Sequence, residues 1–252
     1  MTPRESVFDS PGTVGKRPGV GDLMRTIERV LPDGGDWCDL HKAHTLAALV
    51  LALRPRVIVE IGVWMGGSLV PMALALQWLD AHAAPALERL EQRGKIYGID
   101  PWSPVASVAG EDDATNVAWW SGVDHETAYT KLLLRIADLG LAPYVGIARI
   151  TSDDFEPSIL GAMPGVVGCG IDLIHIDGNH TEQAHRDAKR YLPHVRVGGI
   201  VVFDDVGWGG GGVARGVEWA REHGFVDLYA LGTGLVMQRV ADALHDFEEA
   251  LT

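Results

Sequence analysis

Four residues in the second half of the chain have the types and spacing to do chemistry. Asp177 closes the run IDLIHID (171–177), His180 follows it by three positions in HIDGNH, and Asp204 and Asp205 close GIVVFDD (199–205). Both runs are short and apolar, the pattern of strands buried on both faces of a parallel sheet. Acids add nothing to such burial, so acids at a strand tip mark the edge where a sheet opens onto a site. If the two strands are neighbours, three carboxylates stand side by side, and a proton or a cation must relieve their repulsion. Oxygen donors without cysteine suit Mg²⁺, Mn²⁺ or Ca²⁺ better than zinc. Asp204 and Asp205 point to opposite sides of an extended chain, so both can bind one ion only where the strand has broken. The alternative for either acid is to cap the next helix. His180 has the chemistry of a general base towards a hydroxyl; the alternative is a solvated histidine at a helix start.

A second constellation lies at Glu60-Ile-Gly62-Val-Trp-Met-Gly66-Gly67-Ser68. Glycine lets the backbone turn sharply and lie close to a ligand. The dinucleotide fingerprint GxGxxG is absent, because Trp64 stands where its middle glycine would be. Glu60 repels phosphate and suits an ammonium or sulfonium centre. Asp100, at the end of KIYGID (95–100), has the position of an acid that binds ribose hydroxyls, although before Pro101 it could be a turn residue.

The elements that must position these groups alternate between strand and helix. Strands are expected at 56–62, 95–100, 144–150, 171–177 and 199–205, with helices over Ser68–Leu79, Thr127–Leu139, Glu182–Leu192 and Val213–His223. Pro71 must fall in the first turn of its helix. The runs FVDLYAL and GLVMQRV, joined by Gly-Thr-Gly at 232–234, read as a closing hairpin. The fold expected is α/β: a doubly wound, mostly parallel seven-stranded sheet of Rossmann-like type with an antiparallel final hairpin and an N-terminal helical addition. Residues 1–22 read as a flexible arm and 23–252 as one domain. Within it Leu23–Leu31 and Leu40–Leu53 form a helical lid (23–55), and 101–140 is an insertion forming part of an acceptor site.

Several residues carry less. His175 belongs to the core or stands behind Asp177. His41 and His44 read as surface, and HTEQAH (180–185) has the wrong spacing for a zinc-peptidase motif. Trp64, Trp78 and Trp219 read as packing residues. Trp102, Trp119, Trp120 and Trp208 read as loop indoles that either wall a binding site or pack on one another.

Composition narrows the partners. The chain has 252 residues with 21 basic against 34 acidic, a formal net charge of −13, which argues against nucleic acid or an anionic membrane. No apolar run reaches the length of a membrane span. Two cysteines, Cys38 and Cys169, in no paired spacing fit a reducing, cytoplasmic setting. The oligomeric state is left open, a homo-oligomer included.

The stretches EIGVWMGGS, GKIYGIDPW, HIDGNH and GGIVVFDD resemble the class I S-adenosylmethionine-dependent O-methyltransferases, nearest the metal-dependent branch of the macrocin and mycinamicin sugar O-methyltransferases. Catechol O-methyltransferase is a more distant likeness. The resemblance spans residues 37–240 and implies that Glu60, Gly62, Gly66 and Ser68 receive the methionine part of the cofactor. It further implies ribose at Asp100, adenine at Ser152 and Asp153, and Mg²⁺ (or Mn²⁺) at Asp177, Asp204 and Asp205. His180 falls where several relatives have their base, so Asp177 and His180 are the catalytic residues implied. The expected activity is methyl transfer to a hydroxyl of a small molecule, a sugar or glycosylated natural product. The tryptophan-rich stretch 102–120 departs from the family pattern. Rivals are an oxygen-chemistry relative on the same fold, a non-catalytic S-adenosylmethionine-binding protein and a nicotinamide dehydrogenase; the missing GxGxxG disfavours the last.

Overall fold

The computed structural model describes residues 19–31, 37–82, 94–158 and 170–240. The arm at 1–18 and Cys169 lie outside the described residues. Seven strands form one sheet: β1 (Val57–Ile61), β2 (Lys95–Ile99), β3 (Val145–Ala148), β4 (Ile171–Ile176), β5 (Val195–Phe203), β6 (Phe225–Leu231) and β7 (Gly234–Arg239). Their order is β3-β2-β1-β4-β5-β7-β6. The first five are parallel, and β7 pairs antiparallel with both β5 and β6. The expected fold class is observed. Strand order reverses between β1 and β4, the point where α/β sheets open a crevice for ligands. β5 starts four residues earlier than expected, and its register against β4 shifts between Ile171 and Leu173.

Two apolar cores lie on opposite faces, as the two-residue period of a strand requires. Ile58, Leu173, Ile200 and Val202 face α1 (Val20–Val30), α2 (Leu40–Leu53) and α3 (Leu69–His82). Val59, Ile61, Ile174, Ile176 and Phe203 face the helices Glu182–Tyr191 and Gly212–Glu222. α3 has no polar stripe in its first nine residues because every one is buried. Pro71 sits in its first turn, where a missing N–H leaves no hydrogen bond unmade.

α1 begins at Val20, inside the expected arm. The two N-terminal helices are core elements: Leu23, Ile27, Ala43, Leu46 and Val50 are all fully buried. The 101–140 stretch forms three helices, α4 (Pro104–Ser107), α5 (Ala114–Gly122) and α6 (His125–Asp138). Trp119 and Trp120 therefore lie on a helix rather than in a loop, set there by Asp113, whose side chain accepts from the amides of Thr115 and Asn116. The helices after β4 and β5 are α7 (Glu182–Tyr191) and α8 (Gly212–Glu222).

At the N-terminal edge of the sheet, away from the acids described below, buried Asp172 accepts from the amides of Arg56 (2.7 Å) and Val57 (2.9 Å) and from Arg196 Nε. It fastens β1 to β4 where no ladder bond can. Asp172→Ala strands two amides and is expected to lower unfolding free energy by about 2–4 kcal/mol. Urea denaturation checks this; a loss below about 0.5 kcal/mol would contradict a structural role for Asp172.

Candidate active site

Ladder bonds fix a row of strand ends. Gly62 N donates to Ile99 O at 3.0 Å, Asp177 N to Ile61 O at 2.8 Å and Asp204 N to Ile176 O at 3.0 Å. Gly62, Asp100, Asp177 and Asp204 are thereby neighbours at the C-terminal edge. A cavity of about 890 Å³ opens above them. Its wall includes Gly62, Ser68, Asp100, Ser152, Asp153, Asp177, His180, Asp204 and Asp205, so most of the expected site residues come together.

Glu60 and Gly66 are not on that wall. Glu60 is fully buried beneath it, where one carboxylate oxygen accepts from Ser68 Oγ and from His175 Nδ1 (3.0 Å). Across the β1–β4 ladder Glu60 is the partner of His175, which places both on one face. Glu60 therefore bears on the cavity through Ser68, while its Oε2 is buried without a hydrogen-bond partner among the described residues. Gly66 is required by the backbone, whose φ of +82° is left-handed; an added Cβ would also press on the end of the Leu132 side chain of α6. Gly62 serves the edge itself, since a Cβ there would lie 2.1 Å from Asp177 O. Trp64, at the fingerprint's middle glycine, adopts the left-handed φ of +49° that glycine would have taken.

Asp100 organises this turn. Its oxygens accept from the amides of Val63 (2.9 Å), Trp64 (2.9 Å) and Trp102 (2.7 Å). Burial raises its pKa, and those amides work against the rise. A carboxylate has about four acceptor positions, so roughly one is left for a ligand hydroxyl.

The acid cluster differs from expectation in three ways. Asp205 stands at its margin: the strand has ended, φ is +48°, its Oδ1 accepts from Thr233 Oγ1 at 2.6 Å, and its Oδ2 lies 3.8 Å from His180 Nε2. Its place is taken by His175, whose ligand nitrogen lies within 4.8 Å of carboxylate oxygens of Asp177 and Asp204. Nε2 of His175 is buried and has no hydrogen-bond partner among the described residues. The third difference is Lys42 of α2, buried, whose Nζ donates to Asp177 Oδ2 at 2.9 Å and to Asp204 Oδ2. Burial opposes the Lys42 charge, but the two acids outweigh it and hold its pKa above the ordinary lysine range. Burial likewise opposes ionisation of Asp177, yet Lys42 and His180 hold its carboxyl well below the usual range. Two acids with a histidine nitrogen lacking a partner fit a divalent cation, provided the ammonium leaves.

His180 Nε2 faces Asp177 Oδ1 at 3.6 Å and Asp205 Oδ2 at 3.8 Å, and has no hydrogen-bond partner among the described residues. Burial alone would lower its pKa; Asp177 and then Asp205 and Asp204 turn the net displacement upward. Cys38 also lines the cavity, but burial pushes its thiol up to about 12, which leaves it an inert thiol.

Indoles build much of the wall, and Trp208 lies against His180 with 5.9 Å between ring centres. Trp37, Trp64, Trp120 and Trp208 line the cavity, and Trp37 and Trp64 pack on the Trp119–Trp120 pair at 4.9 to 6.1 Å between ring centres. Trp102 is instead buried, its Nε1 donating to Trp64 O at 3.0 Å. His41 is exposed, as expected, and also lines the cavity.

Ser152 and Asp153 share Gln183, whose Nε2 offers two N–H donors to three acceptors, Ser152 Oγ and Asp153 Oδ1 at 3.1 Å and Asp187 Oδ1 at 2.9 Å. Asp187, missed by the sequence reading, is fully buried, lines the cavity and keeps Oδ2 without a partner among the described residues. Burial raises its pKa to about 6. The folded state then binds more protons than the unfolded state between the ordinary aspartate value and about 6. Stability is therefore expected to fall as pH rises through that window, by about 2–3 kcal/mol, and Asp187→Asn should flatten the fall. Thermal unfolding of both proteins from pH 4 to pH 7 checks this; parallel profiles would contradict it.

The sequence family described as "Methyltransferase domain" matches residues 59–206, more than half of the chain and all of the row of strand ends. No curated protein sequence matches. Among solved structures, the chain is similar to the O-methyltransferase TomG from Streptomyces achromogenes, involved in tomaymycin synthesis and bound to SAM. They share 17% identity over 87% of this chain and 90% of that one, with a TM-score of 0.56. It is also similar to an O-methyltransferase from Bacillus cereus in complex with SAH (16% identity, 87% and 90% covered, TM-score 0.54) and to the O-methyltransferase NovP (16%, 80% and 81%, TM-score 0.57). At these identities the likeness is one of fold, and it agrees with the strand order and closing hairpin found here. Together with the match across the glycine turn and both acid-tipped strands, it leads to one conclusion: the chain belongs to the methyltransferase-domain family.

Proposed function

We propose that the chain is an S-adenosylmethionine-dependent O-methyltransferase acting on a hydroxyl of a small molecule, with a sugar or glycosylated natural product as the acceptor class. The observation carrying this reading is the cavity. Within it a glycine turn, polar groups able to hold a nucleoside and an unpaired histidine nitrogen share one floor. TomG's part in tomaymycin synthesis supports a natural-product acceptor. No helix among the described residues is long and apolar enough to cross a membrane.

S-adenosylmethionine supplies a methyl group on a cationic sulfur, open to in-line displacement by an acceptor oxygen. Gly62 and the backbone to Ser68 leave room for its methionine part, with Glu60 holding Ser68 from behind. Asp100 has one acceptor position for a ribose hydroxyl. Ser152, Asp153 and the unpartnered Asp187 oxygen suit the adenine end. Trp37, Trp64, Trp120 and Trp208 exclude water and give a sugar ring flat apolar walls. Nε2 of His180, unpartnered among the described residues, takes the acceptor's proton, and the Asp177 and Asp205 carboxylates at 3.6 and 3.8 Å stabilise the imidazolium that results. A Mg²⁺ (or Mn²⁺) ion held by Asp177, Asp204 and His175 would lower the pKa of an acceptor hydroxyl bound to it.

Mass spectrometry of acceptor panels (sugars, vicinal diols and phenols) with S-adenosylmethionine tests the reading. A methylated product is expected, and His180→Asn should lower kcat by about 10²–10⁴-fold while leaving cofactor affinity unchanged. Cofactor binding with no methylated product from the whole panel would reduce the protein to a cofactor binder.

A further inference from the structure

Lys42 belongs to no expectation drawn from the chain, and its placement is unusual. It is the third residue of α2, directly after an Asp39 cap that accepts from its own amide at 2.7 Å. The first turn of a helix carries partial positive charge and favours acids over lysine. Local helix chemistry thus gives no reason for a cation here, whereas the acid pair does. The neighbouring Ala43, Leu46 and Ala47 are fully buried, so the helix that carries Lys42 is anchored in the core.

The ammonium bonds the same two carboxylates that a divalent ion would use, and both acids are more than 130 residues away in sequence. A Mg²⁺ ion sits about 2.1 Å from its oxygen ligands. An ion on Asp177 and Asp204 would therefore be pressed against the ammonium, two like charges in a buried place. The two cations repel one another and compete for the same carboxylates. The lysine stem has four rotatable carbon bonds and Lys42 lines the cavity, so the side chain can withdraw there while α2 stays where it is.

We propose that Lys42 is a built-in competitor for the divalent-cation site, neutralising Asp177 and Asp204 in the metal-free protein and swinging into the cavity when Mg²⁺ or Mn²⁺ takes those oxygens. The inference rests on the metal reading given above. The lysine prevents the acid pair from standing bare between metal-binding events, and the metal affinity of the protein is set below that of its donor atoms alone. His175, whose buried Nε2 accepts no bond from Lys42, is the third donor that a metal would gain.

Titration with Mn²⁺ alone, followed by calorimetry and by the electron paramagnetic resonance signal of free Mn²⁺, tests the competition without any turnover. Lys42→Met is expected to bind Mn²⁺ at least about tenfold tighter than the wild-type protein. Lys42→Gln, which keeps a neutral donor for the acids should the methionine variant fold poorly, is expected to move the same way. Adding Asp177→Asn to either variant should abolish the gain, placing the ion on the acid pair. Equal or weaker Mn²⁺ binding by both lysine variants would overturn the proposal, as would no binding by any of the proteins. S-adenosylmethionine titrated into the same set separates the two readings. Its unchanged binding alongside a failed Mn²⁺ result leaves the methyltransferase proposal standing, and its absence with a successful Mn²⁺ result removes only that proposal.

Discussion

Too much negative charge converges on one edge of the sheet, and each carboxylate there is compensated by a different device. Asp100 is held by three backbone amides, Asp205 by Thr233, and Glu60 by Ser68 and His175. Asp177 and Asp204 share the Lys42 ammonium, and His180 adds to the compensation of Asp177. Without these partners, mutual repulsion in a poorly solvated place would protonate the acids or force the strand ends apart. The compensation is what allows five acids to stand beneath one cavity.

That compensation ties distant parts of the chain into one unit. Amide bonds to Asp100 shape the turn after β1, and the shape sets Trp64 in a left-handed conformation with its indole on the cavity wall. Ser68 at the start of α3 is bonded to the floor of the sheet through Glu60. α2 contributes both apolar burial and a buried ammonium, so the N-terminal helices are joined to the chemistry as well as to the core. Gln183 and Asp187 on α7 extend the polar lining along the cavity towards Ser152 and Asp153. A site divided between strand ends, α2 and α7 has its geometry fixed by the same packing that stabilises the fold.

The sheet was legible because buried parallel strands read as apolar runs and their tips read as acids. Both signals are local, and they gave the strands to within a few residues. His175 could have been assigned as well, since residues two apart on a strand share a face and it stands two before Asp177. Asp113 ahead of Ala114 was likewise a readable helix start that would have moved Trp119 and Trp120 out of a loop. Lys42 was not legible in this way. Its spacing puts it on the buried stripe of α2, four residues before Leu46 and eight before Val50, but its partners lie far along the chain and local pattern does not name them. Asp205 illustrates the opposite limit: the pair Asp204-Asp205 suggested two ligands, and only the backbone's turn at the strand end separates them. Glu60 was read as facing a ligand because it ends a strand, but strand alternation turns it inward towards His175.

The proposed assignment of the cavity above the acid-tipped strands to S-adenosylmethionine is tested most directly by calorimetric titration of that cofactor into the purified protein, with Mg²⁺ and again with chelator. Micromolar binding is expected in both conditions, because the groups read as holding the methionine, ribose and adenine parts do not depend on the ion. No binding in either condition, from protein shown to be folded, would contradict the assignment of this cavity to S-adenosylmethionine.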